Sequence, residues 1–159
     1  MVAKFSVGLT DEYVQKLEKM GDGFESTAEK AIKVAAEIVC DKIRKNLSGV
    51  LSGHSSGQLE RALGITPVLR DREGNLNAKV GFNEPRVDRK GRSVYGKKLK
   101  SRRVAEYELT NAMVANIIEY GKKGQPARPF VKPGTRASKS RALLEMQAVI
   151  EREIKEKMK

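Results

Sequence analysis

The chain has 159 residues, enough for one domain with a hydrophobic core, and its single cysteine, Cys40, excludes a disulfide framework within the chain. The net charge of +12 favours polyanions as partners, namely nucleic acid, an anionic membrane or an acidic protein surface. No apolar run reaches the roughly 20 residues of a membrane span, and the N-terminus lacks a signal-peptide core. We therefore expect no membrane segment.

The N-terminal region shows a short strand pattern followed by a helix pattern. Phe5 and Val7 alternate with polar residues, which predicts a short strand over residues 5–7. Thr10 stands where an N-cap would stand, and apolar residues follow at helical spacing as far as Met20. Gly21 then predicts the end of this helix.

The next segment carries the clearest helical pattern of the chain. Ser26 and Glu29 have the spacing of a capping box. One apolar stripe follows at steps of three or four, formed by Ala28, Ile32, Ala35, Val39, Ile43 and Leu47. This pattern predicts a long amphipathic helix, which Gly49 and Gly53 should end.

A short helical turn and a β-hairpin are predicted after a loop rich in glycine and serine. Residues 56–63 suit the turn, and residues 65–70 and 76–82 suit two strands joined by the polar residues 71–75. Pro67 predicts that the first of these strands lies at a sheet edge, because proline cannot donate to a ladder.

Most of the net charge lies in one segment. Residues 86–103 hold nine basic residues and one acid, a net +8, which leaves +4 for the other 141 residues. Residues 84–103 have little apolar periodicity, so we expect a mobile basic loop. The candidate polyanion-binding or partner-binding residues of this loop are Arg89, Lys90, Arg92, Lys97, Lys98, Lys100, Arg102 and Arg103. Contact with nucleic-acid backbone and a solvated loop without a partner are both open interpretations.

The C-terminal third predicts two helices around an extended segment. Thr110 or Asn111 should cap a helix that ends at Gly121, and prolines should keep residues 125–130 extended. A last helix should run from about Ala137 to the end of the chain. The predicted fold is a single α+β domain over residues 1–159, a small antiparallel sheet of a hairpin and short strands packed against a long helix and a C-terminal helix.

Catalytic groups are scarce in this sequence. Cys40 and His54 could formally form a nucleophile pair, but the helical position of Cys40 favours a packing residue. One cysteine and one histidine cannot build the usual zinc site.

Asp71 and Glu73 suit a solvated turn. Residues 134–136 could hold a phosphate on free helix amides, although an ordinary helix start is the plainer interpretation. We expect no enzyme activity, no metal and no cofactor.

Two stretches resemble a known family. Residues 56–63 have the pattern Ser-Gly-x-Leu-x-x-Ala-Leu, and Ile117-Ile118-Glu119-Tyr120-Gly121 leads into Pro-Ala-Arg-Pro-Phe-Val-Lys-Pro over residues 126–133. Over about residues 10–158 the chain resembles the neck or tail-completion proteins of long-tailed bacteriophages and prophages. The motif residues are Glu119, Tyr120, Gly121, Ala127, Arg128, Pro129 and Phe130. We expect Glu119 and Arg128 to pair and Phe130 to anchor the segment.

The resemblance implies a structural protein without catalysis. It implies a ring of copies that joins head to tail around the DNA channel, with other connector or tail proteins as partners. Such a protein would lie in the virion and, during assembly, in the host cytoplasm. The basic loop is longer than this resemblance leads one to expect. The alternative is a small basic protein that binds nucleic acid without sequence preference, and DNA contact is compatible with both.

Overall fold

A computed structural model describes residues 2–4, 21–51, 55–83, 86, 92–100 and 103–157. The predicted strand at residues 5–7 and the predicted helix at residues 10–20 lie outside these ranges. No helix within them combines the length and the apolar character that crossing a membrane requires.

Two helices of 27 residues, α1 (Phe24–Val50) and α4 (Val131–Lys157), form the longest elements. They run antiparallel, because contacts join the start of each to the end of the other. Lys30 Nζ lies 2.8 Å from Glu153 Oε1 at one end, and Asn46 Nδ2 donates to the Phe130 carbonyl over 3.2 Å at the other. At 1.5 Å per residue each helix is about 40 Å long.

The apolar stripe predicted for α1 is confirmed, but its predicted capping box is wrong. Five of the six stripe residues are buried and Ile32 is partly buried. The helix begins at Phe24, directly after a 3-10 turn at Gly21–Gly23, so Ser26 and Glu29 lie inside its first turns. Thr27 Oγ1 donates to the Gly23 carbonyl over 3.1 Å, which ties the turn to the helix.

The predicted turn and hairpin are confirmed as α2 (Gln58–Ala62) followed by four short strands. These are β2 (Leu63–Ile65), β3 (Leu69–Arg70), β4 (Leu76–Asn77) and β5 (Lys79–Phe82). Strand β2 pairs antiparallel with β5, and β3 with β4. Pro67 lies in the gap between β2 and β3, where its missing N–H breaks no ladder bond.

A third strand, β1 (Val2–Lys4), pairs with the other side of β5. The resulting order is β1–β5–β2, so among the described residues β2 lies at an edge of this sheet, and Pro67 lies beyond its end. Helix α1 contacts both α4 and the strands β2 and β5. The core therefore lies along α1, and the predicted α+β class is confirmed.

Helix α3 (Asn111–Tyr120) follows the sequence prediction closely. Thr110 is its N-cap, with its side-chain oxygen accepting from the Met113 N–H over 3.2 Å. Gly121 ends the helix with φ +77°. Local polar and glycine signals therefore define both ends of this element.

The basic segment requires a correction. Its second half is not a loop, because β6 (Tyr95–Lys100) pairs antiparallel with β7 (Arg103–Glu108) as a two-stranded ribbon. The partner strand lies mostly beyond residue 103, and pairing depends on backbone bonds rather than on apolar periodicity. Residues 84, 85, 87–91, 101 and 102 lie outside the described ranges. The mobility of this segment remains a prediction.

The last helix begins at Val131 and not near Ala137 as predicted. Pro133 lies in its first turn, where a missing N–H breaks no helical bond. Gly134 is buried against α1, and a Cβ placed on it would lie 3.0 Å from Cγ1 of Ile43. The early start depends on Glu119, whose contacts are described below.

Candidate interaction surfaces

Glu119, near the end of α3, caps the start of α4. Its side chain is buried, with 2% of the residue exposed. Oε2 accepts from the backbone N–H groups of Phe130 and Val131 over 2.7 and 2.8 Å, and Oε1 accepts from that of Lys132 over 3.0 Å. A carboxylate at this position satisfies N–H groups that have no partner within the helix and complements the positive end of the helix dipole.

The expected pairing of Glu119 with Arg128 is wrong. The backbone amides occupy both oxygens of Glu119, and Arg128 Nη1 donates instead to the Val50 carbonyl over 2.9 Å. Val50 is the last residue of α1, where carbonyls lack helical partners and a cation is favourable. Each ionic group of the motif thus stabilises the end of a different long helix.

Gly121 allows the chain to fold back between the two motif halves. A Cβ at this position would lie 2.8 Å from both the Gln125 carbonyl oxygen and the Ala127 nitrogen, and its φ of +77° also favours glycine. Lys122 and Gln125 exchange backbone hydrogen bonds across the turn. The turn brings residues 125–128 against the end of α3, where the Arg128 N–H donates to the Ile118 carbonyl over 2.8 Å.

The motif has a buried part and an exposed part. Phe130 is fully buried and packs edge-on against Phe82 of β5, with ring centroids 6.0 Å apart, so its predicted anchoring role is confirmed. Ala127 and Pro129 are exposed. Tyr120 is 51% exposed, and the Lys132 Nζ lies 4.8 Å from the centre of its ring. The exposed part is the one available to a partner.

The alternative of a phosphate site on residues 134–136 is not supported by the helix start. The Gly134 N–H donates to the Phe130 carbonyl as an ordinary helical bond, and Glu119 takes the preceding amides. No free amides of the kind that bind phosphate therefore remain at this described helix start.

Five of the eight candidate basic residues are described, and they lie on the ribbon β6–β7 or just before it. Lys97, Lys98 and Lys100 are in β6, Arg103 is in β7, and Arg92 is exposed before the ribbon. Arg89, Lys90 and Arg102 lie outside the described residues.

The strand register sorts the described ribbon positions between two faces. Lys100 is opposite Arg103, and Lys98 is opposite Ala105, so Lys98, Lys100 and Arg103 occupy positions of one face. Lys97 is opposite Glu106 on the other face. Three basic positions of the predicted loop therefore share a face that only strand pairing creates.

Three backbone hydrogen bonds hold the base of the ribbon. The Arg86 N–H donates to Leu109, the Leu109 N–H to Val94, and the Val94 N–H to Arg86, over 2.9, 2.7 and 3.0 Å. Leu109 directly precedes the N-cap of α3. The ribbon is therefore joined to the helix that carries Glu119.

Cys40 is part of the core, with 2% of the residue exposed. Burial raises the pKa of its thiol, although the Arg44 guanidinium, with Nη2 at 3.6 Å from Sγ, opposes this effect. His54 lies outside the described residues. Among the described residues, no three His, Cys, Asp or Glu side chains come together as a metal-binding group. The environment of Cys40 fits the packing interpretation.

A second basic region escaped the sequence analysis. Residues 120–144 contain seven basic residues and no acid, a net +7, and together with the +8 of residues 86–103 this leaves 12 − 8 − 7 = −3 for the rest. The net charge of +4 for the 141 residues outside 86–103 is a sum over this basic stretch and a remainder of net negative charge, so it conceals both. A sliding count of charge along the chain would have found it.

These features describe an α+β scaffold in which exposed basic residues surround a buried helix-capping motif. The chain belongs to the family described as "Bacteriophage HK97-gp10, putative tail-component", whose model matches residues 11–121. The match includes Glu119, Tyr120 and Gly121 and ends before Arg128. Comparison with curated proteins and with solved structures gave no match. Family membership supports a structural role in the phage tail, contact with other tail proteins and a location in the virion.

Proposed function

We propose that this chain is a non-catalytic component of the phage neck, which joins head to tail as a ring of copies around the DNA channel. The observation that carries the proposal is the family match over residues 11–121. Its partners are other copies of the chain and neighbouring connector or tail proteins. It is made in the host cytoplasm and becomes part of the virion.

The ribbon β6–β7 supports assembly with a partner. Among the described residues, each of its strands pairs only with the other. A two-stranded ribbon alone is marginally stable in water, and open strand edges favour pairing with another chain. A neighbouring subunit in a ring would supply the missing contacts.

The charge register of the ribbon supports an anionic partner. Lys100 and Arg103 occupy directly opposite positions, and like charges in opposite positions destabilise a strand pair. An anion on that face would relieve the repulsion. In the assembled particle the anion would be an acidic surface of a neighbouring ring or the DNA in the channel.

The experiment that tests the neck role is deletion of the gene followed by complementation. Without the protein, we expect separate heads and tails in electron micrographs, and the protein supplied from a plasmid should restore joined particles. Normal virions without the protein would refute the proposal. Reconstruction of the neck in complemented particles would then give the number of copies in the ring.

The ribbon has its own test within this assay. Reversal of Lys98, Lys100 and Arg103 to Glu should leave the chain folded and abolish head–tail joining. The matched control reverses three exposed lysines elsewhere, Lys33, Lys45 and Lys79, and should join heads to tails normally. Normal joining by the ribbon variant would remove the ribbon from the proposal.

The second candidate function is nonspecific binding of nucleic acid outside the particle. The three basic positions on one ribbon face favour it. The protein content of purified virions separates the two candidates, whether or not the chain binds DNA. A neck protein enters purified virions, whereas a free nucleic-acid-binding protein binds DNA as a monomer and is missing from them.

A further inference from the structure

The region around the start of α4 is a second basic surface, separate in sequence from the ribbon. Its residues lie within the acid-free stretch of residues 120–144, and all of them are exposed. We call them the α4 basic face: Lys122, Lys123, Arg128, Lys132, Arg136 and Lys139. No function assigned above uses this face as a whole.

Three of the six residues lie along one side of α4, and the other three lie in the segment that joins α3 to α4. Lys132, Arg136 and Lys139 follow one another at steps of four and three along α4, so they form one stripe. The turn at Gly121 folds residues 125–128 back against the end of α3, which brings Lys122 and Lys123 to the same end of the molecule as Arg128.

The charges of this face are not neutralised within the described chain. None of the six cations forms an ion pair with an acid in the described ranges. Glu119, the acid that precedes this stretch, is buried and occupied by three backbone amides. Glu145, the acid that follows it, forms no ion pair with any of the six within the described residues. Arg128 uses one N–H on the Val50 carbonyl, and Lys132 lies over the Tyr120 ring. The positive charge therefore remains available to an external anion.

We propose that the α4 basic face binds the phosphate backbone of duplex DNA without sequence preference. The exposed residues between its cations are small or are prolines, such as Ala127, Pro129 and Ala137, and Tyr120 is a large exposed ring beside them. A protein interface usually has an apolar centre, whereas a surface that contacts phosphates needs mainly cations. The chemistry of the face thus fits nucleic acid better than an acidic protein.

This inference deepens the proposed function, because the neck channel is where the chain would meet DNA. In that setting the contact would hold a passing or resting duplex by charge alone. Binding of this kind leaves the duplex free to move along its axis, since no base is read.

The test measures how binding of the full chain to a short duplex depends on salt. The variant carries Lys132→Gln, Arg136→Gln and Lys139→Gln, and the control carries Lys33→Gln, Lys45→Gln and Lys79→Gln, which removes equal charge from other exposed positions. We expect the log–log salt slope of the variant to be shallower by about 2.7, because each lost phosphate contact contributes about 0.9. The control should keep the parental slope. Circular dichroism melting verifies that both proteins fold.

Two results would overturn the proposal. One is a parent chain that does not bind duplex DNA even at low salt; binding of a polyglutamate peptide in its place would indicate an acidic protein partner. The other is a folded variant that binds DNA with the parental slope. Both readouts use purified protein, so they are separate from the proposed neck role, which depends on head–tail joining.

Discussion

The carboxylate of Glu119 lies 2.7 Å from the backbone nitrogen of Phe130, eleven residues further along the chain. This bond, together with those to Val131 and Lys132, joins the end of α3 to the start of α4. It also holds the Phe130 ring against Phe82. The motif of residues 119–130 is therefore a helix cap first, and its exposed residues are positioned by that cap.

The importance of this cap can be measured directly. Glu119→Ala should lower the free energy of unfolding by about 2–4 kcal/mol, because three N–H groups near the buried carboxylate lose their acceptor. Arg128→Ala should lower it by about 1 kcal/mol, since Arg128 is exposed and makes one such bond. Urea denaturation gives both values. Equal losses in the two variants would contradict the assignment of Glu119 as the cap.

The turn at Gly121 offers a comparison between two glycines with almost the same φ. Gly121→Ala should destabilise strongly, because its Cβ would clash with backbone atoms at 2.8 Å. Gly124 has φ +78°, but a Cβ added there would lie in open space. Gly124→Ala should therefore lower the free energy of unfolding by only about 1–2 kcal/mol, through backbone strain. Thermal unfolding of both variants tests this difference. A Gly124 variant as unstable as the Gly121 variant would mean that strain alone accounts for the turn.

Cys40 should react slowly with iodoacetamide in the folded protein. Burial raises the pKa of its thiol, so the reactive thiolate is scarce at neutral pH, and the core also shields the sulfur. Mass spectrometry should show fast labelling only in urea. The Cys40→Ala variant should fold and retain head–tail joining, and its free energy of unfolding should be lower by about 1 kcal/mol. Fast labelling of the native chain would contradict the packing role.

Asp71 should make the free energy of unfolding depend on pH in the acid range. Its pKa is lowered, first by the hydrogen bond from the Asn75 backbone N–H over 2.9 Å and further by that from Glu73. Because the pKa of Asp71 is lower in the folded chain than in the unfolded chain, the ionised carboxylate stabilises the fold at pH values above the unfolded pKa. This stabilisation is lost as pH falls through the folded pKa. Asp71→Asn should flatten this acid limb of the stability profile. The control Glu73→Gln, which removes the same charge from the same turn, should leave it unchanged.

The ends of α3 and the hairpin β2–β5 could be predicted because their signals are local. Thr110, Gly121 and Pro67 each act through the few residues beside them. The ribbon β6–β7 was missed because its pairing depends on a second strand that extends beyond the basic run. The α4 basic face was missed because a charge total over the remainder of the chain hides a local excess.

The sequence by itself determined the α+β class and the buried stripe of α1, since apolar spacing and turn residues specify them, and the resemblance of the motif around Arg128 implied the burial of Phe130. Only the tertiary structure decided the partners of Glu119 and Arg128. A carboxylate and a guanidinium near each other in sequence suggest an ion pair, but both meet unsatisfied backbone groups first. The end of one long helix presents a carbonyl to Arg128, and the start of the other presents three amides to Glu119. The Val50 carbonyl reaches Arg128 because α1 and α4 pack antiparallel, so that the end of one lies beside the start of the other. The three amides reach Glu119 because the turn at Gly121 folds the chain back against the end of α3.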